Sequence, residues 1–475
     1  MQVLKQWPIY FVGRILPAII AFFGISLYTH LLDPASFGTY SLLLATSFFV
    51  GTTSYAWLRV AVLRMMPALE PDGEPDFVLT VALAFGACSL IVTVLILVIL
   101  RVMEPALSFA LVGLTAAAAI SNAWFELNIT MFQTRLRLGV YSVLQAARAI
   151  SGILATIGFI HLGFKTEALI GGFVVGNCTA LTASAIWGPA FRGTYSKTVF
   201  RRMFEFGWPS SVGSLAGIGA TVQRYALQIM GGSAALGVYA VANDFAGQTV
   251  GLLVGTAAVA GQPLAFRARD SGSAYELKAQ LRANALLIIG LGLGATTGII
   301  ALAQPIARVC FGAQFQGNAF ALIVLSATSA FIGGLRSSYF EQAFEIAFVT
   351  RPIALLTWFR VIFYTGLSLW LIHLYGAIGA GVAAVIAEIV MVITTISWAN
   401  RFLTMPIPWD SVARLALAAG AMVLAIQFVP ERDHLLGLVL AILLGGFVYV
   451  TVVGLLYFSR VQALIRPART TGSPP

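Results

Sequence analysis

Charge is scarce in this chain: charged residues are 10% of 475, against about 25% in soluble domains. Acidic residues are the scarcer sign, 18 against 28 Lys and Arg. Cysteine is nearly absent. Cys88, Cys178 and Cys310 are odd in number, include no CxxC pair and sit in or beside apolar runs, which excludes a disulfide framework and a thiolate metal site. Walker A, HExxH and GxSxG sequences are missing, so no built-in ATPase or hydrolase is expected, and no cofactor. Gly290-Leu291-Gly292-Leu293-Gly294 resembles a dinucleotide fingerprint, but it lies inside an apolar run with no preceding strand and reads as helix packing. Polar stretches long enough for a soluble domain are also lacking.

What the chain has instead is apolar length. Hydrophobic residues make up 59% and mean hydropathy is +0.91. Apolar runs of about twenty residues, the length that crosses a bilayer, recur about fourteen times. The expected helices are 8–30, 37–62, 77–100, 105–131, 139–160, 168–188, 204–230, 236–263, 282–304, 318–348, 352–373, 376–399, 411–429 and 434–458. Breaks fall at turn residues such as Asp33-Pro34 and Gly231-Gly232-Ser233. The fold class is therefore an all-α polytopic membrane protein; the alternating pattern of an outer-membrane barrel is absent.

The net charge of +10 does not indicate a nucleic-acid partner, because the basic residues are spread over many short loops. With the N-terminus and even-numbered loops on one side, nineteen Lys and Arg fall there, against Arg101, Lys165, Arg308 and Arg432 on the other. The positive-inside rule then makes both termini cytoplasmic.

The chain repeats itself. Leu31-Leu32-Asp33-Pro34-Ala35-Ser36-Phe37-Gly38-Thr39-Tyr40 follows helix one, and Met230-Gly231-Gly232-Ser233-Ala234-Ala235-Leu236-Gly237-Val238-Tyr239 follows helix seven. Arg148 precedes Ile160-His161-Leu162 by the interval at which Arg360 precedes Ile372-His373-Leu374. These matches predict two parallel six-helix lobes, 1–195 and 196–402, around a central cavity, with two further helices and a tail in 403–475. Alternating access is the working plan of such duplicated bundles.

Arg14, Arg148, Arg224, Arg336 and Arg360 fall inside expected helices. An arginine at a helix centre costs about 2.5–3.5 kcal/mol to insert, so it is expected to face a cavity, a partner or a substrate. Arg148 and Arg360 lie deepest. The functional reading is a cationic cavity for a phosphate or pyrophosphate, which the planar guanidinium fork suits; the structural reading is a buried ion pair or a reach to the headgroups. Glu126, Asp244 and Glu388 also lie within helices and read as ion-pair partners of these arginines, with coupling to an ion as the alternative. Glu341 and Glu345 are expected to face water near the cytoplasmic end. Tyr55 and Trp57 are expected as interfacial anchors.

The two Gly-x-Tyr junctions, together with Pro263 and Arg267, resemble those of the polysaccharide biosynthesis (Wzx-type) flippases of the multidrug/oligosaccharidyl-lipid/polysaccharide superfamily. The resemblance implies two six-helix lobes and a bacterial inner-membrane location. It also implies translocation of a polyprenyl-pyrophosphate-linked O-antigen or exopolysaccharide unit, with membrane lipid and polysaccharide assembly proteins as partners. The family has no strict catalytic motif, so a transporter is expected rather than an enzyme. An ion-coupled multidrug antiporter and a lipid II flippase are the rivals.

Overall fold

The computed structural model describes residues 20, 23–69, 73–135, 137–188, 193–349, 351–430 and 432–465. Residues 23–31 belong to a first helix, α1. Then follow α2 (Pro34–Met65), α3 (Glu74–Met103), α4 (Phe109–Thr134), α5 (Leu138–His161), α6 (Thr166–Ser184), α7 (Lys197–Ser214) and α8 (Ile218–Ala246). The remainder comprises α9 (Leu252–Asp270), α10 (Ala274–Ala301), α11 (Ala303–Cys310), α12 (Ala319–Leu335), α13 (Gln342–Ile346), α14 (Arg351–Ala399), α15 (Trp409–Gln427) and α16 (Leu435–Ile465). No strand occurs among the described residues.

Nine stretches among the described residues are long and apolar enough to span a membrane. Two exceed one crossing: Lys197–Asp270 has 74 residues and Arg351–Ala399 has 49, whereas about 20 suffice. Each contains a glycine that leaves helical geometry, Gly232 (φ 79°) and Gly376 (φ 57°). Only glycine enters that region without steric cost. The two breaks fall where the sequence separates helices seven from eight and eleven from twelve. The chain is a multi-pass membrane protein.

Exposure confirms the solvent. On α3, Leu90 is 73% and Val102 73% exposed; on α16, Leu436 is 79% and Phe447 70% exposed. Apolar patches of this extent do not face water in a soluble monomer; here they face acyl chains.

By contacts the chain divides into two units: Met1–Val241 with Thr357–Ala380, and Ala242–Leu356 with Gly381–Pro475. The first packs α2, α3, α4 and α7 around Leu58, Val62, Phe77 and Ile96. Tyr55 and Trp57 belong to this core, at 4% and 6% exposure. Tyr55 stacks on Phe85 at 4.5 Å and shares a hydrogen bond with Ser89 Oγ at 2.8 Å. The expected anchor role therefore gives way to core packing, because the end of α2 is covered by α3 and α7. The second unit packs Ile288, Tyr339, Phe344 and Met391.

Small residues let the helices approach, as they must where lipid removes the hydrophobic drive. A Cβ on Gly176 would lie 2.6 Å from the Arg148 carbonyl oxygen, and one on Gly172 would overlap Thr156 Oγ1. The α5–α6 glycines thus serve packing within the chain. The duplicated junctions meet each other in the first unit. A Cβ on Gly38 would overlap the Ser233 carbonyl oxygen, and a Cβ on Gly237 would overlap the Pro34 carbonyl oxygen. Each glycine meets the residue four positions before the other, so the contact is reciprocal.

Asp33 starts α2. It accepts from the Ser36 N–H at 2.9 Å and the Ser36 hydroxyl at 2.9 Å, and Lys165 Nζ lies at 3.3 Å. Partial burial alone would raise its pKa, but these donors offset burial and hold the carboxyl below its ordinary value. Its contribution is complete above the unfolded-state pKa and is lost as pH falls through the folded one. Asp33→Ala is expected to cost about 1 kcal/mol or less, read as a lower melting temperature in detergent at neutral pH that converges with wild type in acid.

Candidate functional site

Of the intramembrane arginines among the described residues, Arg148, Arg224 and Arg360 belong to the first unit. Arg148, on α5, donates to Asn122 Oδ1 at 2.8 Å, with Glu126 Oε1 farther away at 3.6 Å. Its guanidinium lies over the Phe125 ring at 4.7 Å and the Phe173 ring at 5.0 Å. Asn122 and Glu126 are one turn apart on α4, so a single helix face supplies both. The pairing of Glu126 with an arginine matches the expected ion-pair reading. It is a loose one: the carboxylate side chain is 35% exposed and the arginine 18%. A charge held this way, beside two aromatic faces and one neutral amide, retains capacity for another anion.

Arg224, on the first arm of α8, donates to the Ser41 carbonyl at 3.1 Å. Ser41 and Phe48 lie two turns apart on the same face of α2, about 10 Å along the axis. Phe48 meets Phe173 edge-on at 5.7 Å, and Phe173 is one of the rings under Arg148. One face of α2 thus serves both arginine neighbourhoods.

Arg360, on the first arm of α14, lies over the Tyr364 ring at 5.8 Å. Tyr364 is fixed by a residue the sequence reading passed over. Gln223, 3% exposed, accepts from Tyr364 OH at 2.5 Å and Tyr239 OH at 3.0 Å. Its amide donates to the Ala380 carbonyl at 3.1 Å and to Ser368 Oγ at 3.5 Å. All four of its hydrogen-bonding positions are filled. A lone Gln beside Arg224 in an apolar run was the available signal. The network ties α8 to α14 on both sides of the Gly376 break and sets the ring beneath Arg360.

Arg336 is different in kind. It opens a π-helical turn, Arg336–Phe340, and ion-pairs with Glu341 and with Glu388 Oε2 at 3.0 Å. The three side chains are 11%, 17% and 8% exposed. Glu341 is therefore half-buried and turned to Arg336, against the expectation that it faces water; Glu345 meets Gln262 at an exposed position. The reason is the π turn, which bonds residue i to i+5 and so brings Glu341 back to Arg336. Gly333 gives Glu388 its room: a Cβ there would lie 3.0 Å from Glu388 Cδ. Removing one member of a buried ion pair costs about 3–5 kcal/mol. Glu388→Ala is expected to fall near the low end of that range, since Glu341 remains, and a thermal melt in detergent would read the loss.

Asp244 is half-buried on the second arm of α8, just before a second π turn, Gly247–Gly251. Arg14 lies outside the described residues. No cluster of His, Cys, Asp and Glu suited to a metal ion occurs among the described residues.

Comparison with known proteins agrees with this architecture. A family model described as "Polysaccharide biosynthesis protein" matches residues 27–320. No curated protein matches the sequence. In structure the chain is similar to a lipid II flippase MurJ in an inward closed conformation, with TM-score 0.74 and 14% identity over 96% of this chain and 99% of that one. It is also similar to an inward-facing multidrug resistance MATE family transporter of the MOP superfamily, with TM-score 0.62 and 15% identity over 86% of this chain and 99% of that one. At such identities the likeness establishes the fold, which is that of transporters and flippases. On the extent of the family match, the chain belongs to the polysaccharide biosynthesis protein family.

Proposed function

We propose that this protein flips a lipid-linked oligosaccharide, an O-antigen or exopolysaccharide unit on polyprenyl pyrophosphate, across a bacterial inner membrane by alternating access. The observation that carries the reading is the set of partly exposed arginines, Arg148, Arg224 and Arg360, within the spans of the first unit. Insertion of each is costly, and the Glu126 carboxylate stands off from Arg148 at 3.6 Å. A pyrophosphate is the anion whose oxygens match their planar forks. The aromatic rings beneath Arg148 and Arg360 hold the guanidinium planes without neutralising them.

Arg336 acts at a distance from cargo in this reading. Its fork is committed to Glu341 and Glu388, and it holds the π turn that follows α12. The short sequence repeats support two lobes, 1–195 and 196–402, followed by 403–475, and the basic bias supports cytoplasmic termini. Glu126 and Asp244 are the acids that would couple transport to an ion gradient. The chain works as a transporter rather than an enzyme.

The test is reconstitution. Proteoliposomes carrying a fluorescent polyprenyl-pyrophosphate glycan are quenched from outside, and the protected fraction is followed with time. Protein-dependent loss of protection supports the reading. Efflux of a cationic dye, with the glycan static, would favour the multidrug antiporter; equal movement of a lipid II analogue would favour the lipid II flippase.

A further inference from the structure

At the α9–α10 turn of the second unit lies a cavity of about 530 Å³, within the range of small-molecule sites. Arg269, Lys278 and Arg282 line it, and no acidic residue does. Lys278 and Arg282 are one turn apart on α10, so the helix presents both charges on one face. Like charges so placed repel unless an anion sits between them. None of the three takes part in an ion pair among the described residues.

The acids nearest in sequence are turned elsewhere. Glu276 accepts from Ser271 Oγ at 2.8 Å and faces a neighbouring cleft with Arg267 and Tyr275; Asp270 does not line the cavity. The turn itself favours an anion. Gly272 takes φ 76°, Ser273 caps α10, and the positive end of the α10 dipole opens on the cavity.

The other walls are apolar. Leu277 and Leu281 come from α10, and Leu403 and Ile407 from the segment before α15. That segment is held by Tyr339, whose hydroxyl donates to the Pro406 carbonyl at 2.7 Å. Two membrane-spanning stretches end here, Lys197–Asp270 and Ala274–Ala301, which puts the cavity at headgroup level. It also lies on the side that the Lys and Arg bias assigns to the cytoplasm, where the leaflet is anionic.

We propose that this cavity binds the phosphate of an anionic phospholipid headgroup from the cytoplasmic leaflet. The three cations take the phosphodiester and the leucine walls take the start of the acyl chains. Apolar walls and a position at the bilayer surface favour a lipid over a soluble phosphate. The site needs only the fold and stands apart from the cargo reading.

The test uses the full-length protein in nanodiscs, with native mass spectrometry of bound lipid. Wild type is expected to retain phosphatidylglycerol over phosphatidylcholine, and Arg269→Gln/Lys278→Gln/Arg282→Gln to lose that preference by about tenfold, near 1.4 kcal/mol. Arg401→Gln, a basic residue that does not line the cavity, should keep it. Because the triple variant risks the fold, Lys278→Glu alone, at an exposed position, is measured beside it and should weaken retention with an unchanged melting curve. Retained preference in both variants overturns the proposal. Displacement of short-chain phosphatidylglycerol by an equal concentration of inorganic phosphate overturns the lipid source.

Discussion

Arg148→Ala is expected to lower glycan export about tenfold, and the Arg148→Ala/Arg360→Ala variant to abolish it, with membrane abundance unchanged. One charge-assisted hydrogen bond to phosphate contributes about 1.5–3 kcal/mol, and 1.4 kcal/mol is a factor of ten. The structural cost at Arg148 is small, because the carboxylate it leaves is only loosely paired, at 3.6 Å and 35% exposed. Arg148→Lys separates charge from geometry. It keeps the cation but loses the planar fork and the fit over Phe125 and Phe173, so export should be intermediate. If Arg148 served only to clamp α5 to α4, alanine would lower the melting temperature and leave export intact. Export is read as surface glycan per cell, normalised to protein in the membrane.

Gly38→Leu and Gly237→Leu should each reduce export to background. A side chain at either position overlaps a backbone carbonyl oxygen across the junction. No rotamer relieves such an overlap, so the starts of α2 and of the second arm of α8 must part. The observed closure of these two junctions would then be inaccessible, and a cycle that visits it would stop. Gly86→Leu is the control: a Cβ there meets nothing within 4 Å, and export should be unaffected. Labelling of a cysteine placed at Ala35 should rise in the Gly38 and Gly237 variants and not in the control.

How far the sequence carried can be seen at particular residues. Gly231-Gly232-Ser233 marked a break because glycine permits positive φ, and the break is at Gly232 with φ 79°. Asp33-Pro34 marked a helix start, and Asp33 caps α2. The Gly-x-Tyr junctions stood out as a repeat, and Gly38 and Gly237 approach each other's helix starts closely. The arginines stood out by type alone. Their partners did not, because pairing between helices depends on how each helix is rotated. Arg336 and Glu341 show why. At 3.6 residues per turn, i and i+5 point about 140° apart, so no periodic reading joins them; the π turn does, with Glu341 N donating to Arg336 O at 3.0 Å. Gln223 was missed for a related reason, since its four partners come from residues remote in sequence or across a helix break. Tyr55 and Trp57 fit an interfacial pattern, but α3 and α7 cover them.

This chain is proposed to move a lipid-linked glycan between leaflets. The most direct measurement is to delete the protein from its cell and label lipid-linked glycan with a membrane-impermeant reagent, before and after opening the inner membrane. Accumulation that is labelled only after opening, and is relieved by wild type but not by the Arg148→Ala/Arg360→Ala variant, is the predicted result. Lipid-linked glycan that stays at its usual level and remains accessible from outside in the deletion strain would contradict the account.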